Sequence, residues 1–245
     1  MKITAGLRYL WHLSNQKKAK PDHFINWLRF ANAGMLNEGN IYCIEYVAEH
    51  LPSENPVVEI GSFCGLSTNA INYYLRKSNR VNRLITCDKW VFERREEDHD
   101  PVLGASGITH EQYRQFVRET YIRNVGFFGK EKTPCTIEAF SNDFFCLWDN
   151  RAMATDVMGR KIQLGGPISF AYIDGNHGYQ FTKDDFVNVD RYLETNGFIL
   201  FDDSADYYTQ FGVNRLVREV KKLDNYEVVV KNPNYLFRKI GKNVA

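Results

Sequence analysis

The chain has 245 residues, 44% hydrophobic and 14% aromatic, and its 31 Lys and Arg against 30 Asp and Glu leave a formal net charge of +1. That supports one sizeable core and lacks the basic excess of a nucleic-acid-binding chain. Five scattered cysteines (Cys43, Cys64, Cys87, Cys135, Cys146) form no C-x-x-C pair, and no membrane-length apolar run occurs. The expectation is a soluble, cytoplasmic protein in reducing surroundings, with no zinc knuckle, nucleic-acid partner or membrane span.

In chain order, residues 1–52 read as an N-terminal helical extension. Phe24, Trp27 and Leu28, then Ile41, Ile44, Val47 and Ala48, recur at helical spacing, and Pro52 closes the segment. Residues 53–245 read as one main domain. "PVVEIGS" is a strand, "LSTNAINYYLRKSN" a helix and "RLITCDKW" a second strand. Residues 91–132 break the rhythm with the charged run "ERREEDHD" and the helical "HEQYRQFVRETYIRNV", and are expected to be an insertion forming a lid or substrate wall. "TPCTIEAFS" is a weaker strand and "MGRKIQLGG" a turn-rich connection or small hairpin. "ISFAYIDG" is a buried-type strand. The helix in "TKDDFVNVDRYLETNG" is expected to start at the N-cap Thr182 and stop at Asn196-Gly197. "FILFDDS" is another buried strand, and "YEVVVKNPNYLFRKI" an antiparallel pair around an Asn-Pro-Asn turn. The alternation predicts an α/β fold, a doubly wound parallel sheet with an antiparallel edge.

The first chemical motif is "VVEIGSFCGLST". Gly61 can adopt backbone angles closed to other residues, and Gly65 permits close approach to the main chain. Asp88, after the second strand, is placed where a carboxylate takes ribose hydroxyls. A tight turn with glycine for geometry alone is the plain alternative. The dinucleotide fingerprint G-x-G-x-x-G is absent because Phe63 stands at its second glycine. With Glu59 before the glycines, the pattern resembles the class I S-adenosylmethionine-dependent methyltransferases, whose motif is E-x-G-x-x-x-G. The resemblance spans roughly residues 56–240 and implies a Rossmann-like sheet of seven strands ending in an antiparallel hairpin. It further implies that Glu59, Gly61, Ser62, Gly65 and Ser67 line the methionine end of the cofactor, that Asp88 holds the ribose, and that Ser141 borders the adenine.

The second constellation lies in "YIDGNHGY" and "GFILFDDSAD". Asp174 and the pair Asp202-Asp203 end two strands that this topology makes neighbours, where ligands of open α/β sheets collect. Three converging carboxylates raise one another's pKa unless a cation neutralises them, and hard oxygen donors suit Mg²⁺, Mn²⁺ or Ca²⁺ better than zinc. His177 is of the type that accepts a hydroxyl proton near neutrality. Helix capping by an aspartate of the pair and a plain Asp-Gly turn are the structural alternatives.

The D-x-x-H spacing and the later acidic pair resemble the metal-dependent sugar O-methyltransferases of macrolide antibiotic pathways. That resemblance implies metal roles for Asp174, Asp202 and Asp203, with His177 as base. Relatives tend to carry glutamate first in the acidic pair, where Asp202 stands here. The sequence reading is an S-adenosylmethionine-dependent, metal-assisted O-methyltransferase of a small hydroxylated substrate, a sugar or glycosylated natural product, and a homo-oligomer. A metal-independent methyltransferase and a non-catalytic cofactor- or glycan-binding module are alternatives; an NAD-dependent oxidoreductase lacks its glycines. "NPNY", residues 232–235, resembles the N-P-P-Y signature of amino-group methyltransferases but falls in a hairpin. His12, His23, His50, His99 and His110 show no ligand-like spacing.

Overall fold

The structure, a computed structural model, describes residues 15–92 and 106–241. Two helices come first, α1 (His23–Ala31) and α2 (Glu38–His50). Asp22 starts α1 by accepting the amides of Phe24 and Ile25, and Asn37 starts α2 by accepting that of Gly39. The inward face of α1 is Ile25 and Leu28, with Phe24 packed against the core, whereas Trp27 of the expected apolar stripe is 49% exposed. In α2 the stripe Ile41, Ile44, Val47 and Ala48 is buried as its spacing predicts. Residues 1–14 and the run "ERREEDHD", with His12 and His99, lie outside the described residues.

The main body then alternates β1 (Val57–Ile60), α3 (Leu66–Lys77), β2 (Leu84–Cys87), α4 (His110–Gly129) and β3 (Cys135–Ile137). It continues with α5 (Ser141–Asp149), a small hairpin of β4 (Met153–Thr155) and β5 (Lys161–Gln163), β6 (Ile168–Ile173), α6 (Tyr179–Tyr192) and β7 (Leu193–Phe201). The chain closes with α7 (Gly212–Val220), β8 (Tyr226–Lys231) and β9 (Tyr235–Lys239). Seven strands form one sheet in the order β3-β2-β1-β6-β7-β9-β8, parallel except where β9 runs against β7 and β8. This is the expected doubly wound α/β sheet with its C-terminal antiparallel hairpin. Every residue of β1, β2 and β6 is buried, as central parallel strands covered on both faces require. One core lies under α1, α2 and α3, around Leu28, Ile44, Tyr74, Phe170 and Leu200; a second lies under α5, α6 and α7, around Phe144, Trp148, Val189, Phe201 and Val217; a small third one joins Trp90 to Val117, Tyr121 and Val125 of α4.

Register positions the site. Ile60 pairs with Cys87 on one side and Ile173 on the other, and Ile173 pairs with Phe201. The strands therefore end in line, and the residues that follow them, Gly61, Asp88, Asp174 and Asp202, stand in a row along the carboxyl edge.

Several local expectations give way to tertiary demands. Helix α6 begins at Tyr179 with Gly178 as its cap; Thr182 lies inside it and donates its hydroxyl to the carbonyls of Asn176 and Gly178. The helix ends at Tyr192, before Asn196-Gly197, because Leu193 pairs with Ile168 as the first residue of β7. Asn196, with φ of 69°, then sits within that strand. Residues 110–129 are the crossover helix that parallel neighbours β2 and β3 require. That helix opens on a capping box of Thr109 and Gln112, and its buried Tyr121 reaches Thr86 and Thr136 on the two strands. Helix α5, unmarked in the sequence reading, buries Phe144, Phe145 and Trp148. The β4–β5 hairpin covers the open edge at β3: the Val157 amide donates to Thr136, and Arg160 donates to the carbonyls of Thr133 and Pro134. All five cysteines are unpaired, and no helix among the described residues is long and apolar enough to cross a membrane.

The N-terminal helices are part of this fold rather than appended to it. A Cβ at Gly39 would lie 1.5 Å from the carbonyl oxygen of Asn232, between β8 and β9. Gly39→Ala therefore forces α2 off that turn and is expected to lower unfolding free energy by at least about 1–3 kcal/mol, as overpacking does. Urea denaturation measures it, and an unchanged midpoint would refute the close contact.

Candidate active site

Two loops meet at the centre of the carboxyl edge. The first runs from β1 to α3. Gly61 has φ of 80°, and a Cβ on it would lie 2.0 Å from the carbonyl oxygen of Asp174. Glycine is required here because the second loop passes against it. Gly65, with φ of 88°, is the left-handed N-cap of α3. Between them the amides of Ser62 and Phe63 point at Asp88, donating to its Oδ2 over 2.8 and 3.0 Å, while the Trp90 amide donates to Oδ1 over 2.7 Å. Burial raises the Asp88 carboxyl above its ordinary range, and these backbone amides pull the other way. Oδ2 also takes the Ser62 hydroxyl over 3.4 Å, whereas Oδ1 accepts the Trp90 amide alone and so keeps a second acceptor position for a hydroxyl.

Glu59 is fully buried at the end of β1, facing α3. The hydroxyls of Ser67 and Thr68 donate to its two oxygens over 2.6 and 2.5 Å. Burial pushes its pKa up to about 8 against those hydroxyls. Glu59 and Ser67 thus join strand to helix beneath the loop. Ser141 opens α5, and its side chain bonds to Asp185, whose carboxyl burial raises to about 6.

The second loop, after β6, carries Asp174 and His177, and the turn after β7 brings Asp202 and Asp203 beside it. Burial pushes the Asp174 carboxyl well above the usual range, and the charges of Asp202, Asp203 and Glu59 add to the effect. Asp202 and Asp203 behave differently from each other. Asp202 Oδ1 accepts from Asn40 Nδ2 (2.8 Å), Asn234 Nδ2 (2.5 Å) and the Asp203 amide (2.9 Å), and Oδ2 accepts from the Tyr172 hydroxyl (2.8 Å). Asp203 stands in the left-handed region with φ of 50°, and its Oδ2 lies 3.1 Å from His177 Nε2. Burial raises Asp203, the Asp202 charge adds, and His177 opposes. The His177 ring packs edge-on against Phe211 with centroids 4.7 Å apart.

The structure thus gathers Glu59, Gly61, Ser62, Gly65, Ser67 and Asp88 around one loop and Asp174, His177, Asp202 and Asp203 around its neighbour, with Ser141 bound to Asp185. Sequence reasoning missed Asn40, Tyr172, Asp185 and Phe211, and set Asn234 aside as turn chemistry. A hard cation at the three acids does not fit this arrangement. Asp202 already accepts four neutral donors, Asp203 is held by His177, and among the described residues no three His, Cys, Asp or Glu are grouped to hold a metal ion.

The raised carboxyls carry a pH signature. Between about 4.5 and about 8 the folded chain keeps a proton on Glu59 that the unfolded chain has released, so stability falls as pH rises through that window. Asp174 and Asp185 act in the same direction. The ligand-free protein is expected to melt at a lower temperature at pH 8 than at pH 6, and Glu59→Gln to flatten that slope. Calorimetric scans of both proteins check it; parallel slopes would remove Glu59 as the cause.

A family model described as a methyltransferase domain matches residues 58–204. Sequence comparison with curated proteins gives no match. Solved structures resemble the chain over nearly its whole length. An O-methyltransferase from Bacillus cereus, in complex with S-adenosylhomocysteine, has a TM-score of 0.55 at 14% identity, covering 98% of each chain. TomG from Streptomyces achromogenes, an O-methyltransferase involved in tomaymycin synthesis and bound to S-adenosylmethionine, has a TM-score of 0.53 at 13% identity, covering 96% of each chain. CalS11, a calicheamicin methyltransferase, has a TM-score of 0.54 at 14% identity, covering 92% of this chain and 96% of its own. With the matched segment running from β1 through the acid pair and the sheet in the class I strand order, the chain belongs to the methyltransferase-domain family.

Proposed function

We propose that the protein transfers a methyl group from S-adenosylmethionine to a hydroxyl of a small molecule, a sugar or a glycosylated natural product. One observation carries the reading: an imidazole oriented by a carboxylate, His177 on Asp203, stands on the loop that touches the glycine turn. When bound, the cofactor supplies a methyl on a sulfonium, which leaves as a neutral thioether. The glycine loop fits it: Gly61 and Gly65 turn the main chain back, and Asp88 keeps an acceptor position for a ribose hydroxyl. His177 Nε2–H donates to Asp203, which leaves Nδ1 as the basic nitrogen. Nδ1 takes the acceptor's hydroxyl proton, so the oxygen attacks as an alkoxide in the making, and the Asp203 carboxylate stabilises the imidazolium that results. TomG, involved in tomaymycin synthesis, and CalS11, a TDP-rhamnose 3'-O-methyltransferase of calicheamicin biosynthesis, share the fold, which supports an acceptor of that class.

A metal-assisted form is the second reading; it rests on Asp174 and the Asp202-Asp203 pair following neighbouring strands and needs a rearrangement of the site described above. It requires Asp174 to lose its proton and Asp203 to release His177. Methyl transfer measured after exhaustive chelation separates the two readings: retained turnover supports the histidine–aspartate pair acting alone, and turnover restored only by Mg²⁺ supports the second.

Calorimetry should show saturable S-adenosylmethionine binding that Asp88→Ala weakens. His177→Ala should leave that binding unchanged while turnover falls by about 10²–10⁴, the loss typical of a general base. Normal turnover by His177→Ala would remove the histidine from the chemistry, and absence of cofactor binding by the wild type would end the methyl-transfer reading.

A further inference from the structure

The Asn232-Pro233-Asn234 turn between β8 and β9 reads as an ordinary hairpin connection, yet both asparagines are 1% exposed and face inward. Asn232 Nδ2 donates to the carbonyls of Lys17 (2.8 Å) and Gly39 (3.3 Å), and its Oδ1 accepts from the Lys17 amide (2.9 Å). That seats the start of α2 on the turn. Asn234 Nδ2 donates to Asn40 Oδ1 (3.0 Å) and Asp202 Oδ1 (2.5 Å), while Asn234 Oδ1 accepts from the Ala205 amide (3.1 Å). Asn40 Nδ2 donates to Asp202 and, over 3.1 Å, to the Tyr172 oxygen. Three elements distant in sequence, α2, β6 and the β8–β9 turn, therefore converge on one buried carboxylate.

What that carboxylate holds is its own neighbour. Asp202 Oδ1 accepts the Asp203 amide, and Asp203 occupies the left-handed region, which Asp and Asn enter more readily than other residues with a Cβ. On the far side of the turn, the Ser204 hydroxyl donates to the Phe201 carbonyl and accepts the Tyr235 amide. The turn is thus held from both ends, and Asp203 Oδ2 is directed at His177 Nε2.

We infer that Asn234, with Asn40 and Tyr172, positions the catalytic base: the three hold the Asp202 carboxyl fixed between neutral donors, which sets the Asp202-Asp203 turn and through it the orientation of His177. The inference rests on the reading of His177 as the base. The acid pair then has divided work, Asp202 as the anchor and Asp203 as the partner of the histidine. The asparagines and the phenol are positioning residues that act through Asp202. A buried polar network with only a structural role would change stability and cofactor binding together and leave the imidazole's environment alone.

The test uses the full chain with Asn234→Ala and, as the milder change, Tyr172→Phe, which removes one oxygen and keeps the ring in the core. Proton–nitrogen correlation spectra of histidine-labelled protein, with the His177 signals assigned by their loss in His177→Gln, report its tautomer and its bond to Asp203. Both variants are expected to shift the His177 nitrogens away from the wild-type pattern while S-adenosylmethionine affinity by calorimetry stays unchanged. Turnover on a panel of catechols and sugar glycosides is expected to fall by about ten- to a hundredfold at constant KM for the cofactor, as when a group supporting the chemistry is displaced. His177 signals unmoved in folded Tyr172→Phe and Asn234→Ala would overturn the inference, as would turnover that falls only in proportion to cofactor affinity. A wild type that methylates nothing in the panel bears on the proposed acceptor class, whereas the histidine spectra still decide the positioning.

Discussion

The contact on which the site depends is between two backbones. β1 and β6 lie side by side in register, the Asp174 amide donates to the Ile60 carbonyl over 2.8 Å, and the Asp174 carbonyl occupies the space where any side chain at Gly61 would start. The glycine turn and the acid loop are therefore pressed together without intervening side chains. A ligand seated on one is within reach of groups carried by the other, as joining a cofactor to an acceptor requires.

That closeness concentrates negative charge. Glu59, Asp88, Asp174, Asp202 and Asp203 all follow or end adjacent strands, and each is handled separately. Backbone amides face Asp88, hydroxyls face Glu59, amide side chains and a phenol surround Asp202, and an imidazole meets Asp203. Asp174 has its carboxyl pushed well above its ordinary range by burial and by its acidic neighbours. In a low-dielectric cluster of acids, burial and like charge both favour the protonated form.

The N-terminal helices and the C-terminal hairpin belong to the same device. Gly39 and Asn40 of α2 bind the β8–β9 turn, and Asn40 and Asn234 both donate to Asp202 of the acid pair. The antiparallel hairpin places β9 between β7 and β8, which brings Asn234 beside the end of β7.

The sequence by itself determined the alternation of strands and helices, the buried character of "PVVEI", "LITC" and "ISFAYI", and the acids and glycines expected at strand ends. Each is a local pattern, a run of apolar residues closed by a residue with special backbone or charge. It also determined that His177 follows Asp174 at short range. Only the tertiary structure decided what those groups do to one another. Nothing local distinguishes Asp202 from Asp203, since the difference comes from Asn40, Tyr172 and Asn234, which reach it from distant parts of the chain. The stop of α6 at Tyr192 and the burial of Leu28 rather than Trp27 have the same origin. Strand register and helix packing choose among local signals, and both are set by contacts between residues far apart in sequence.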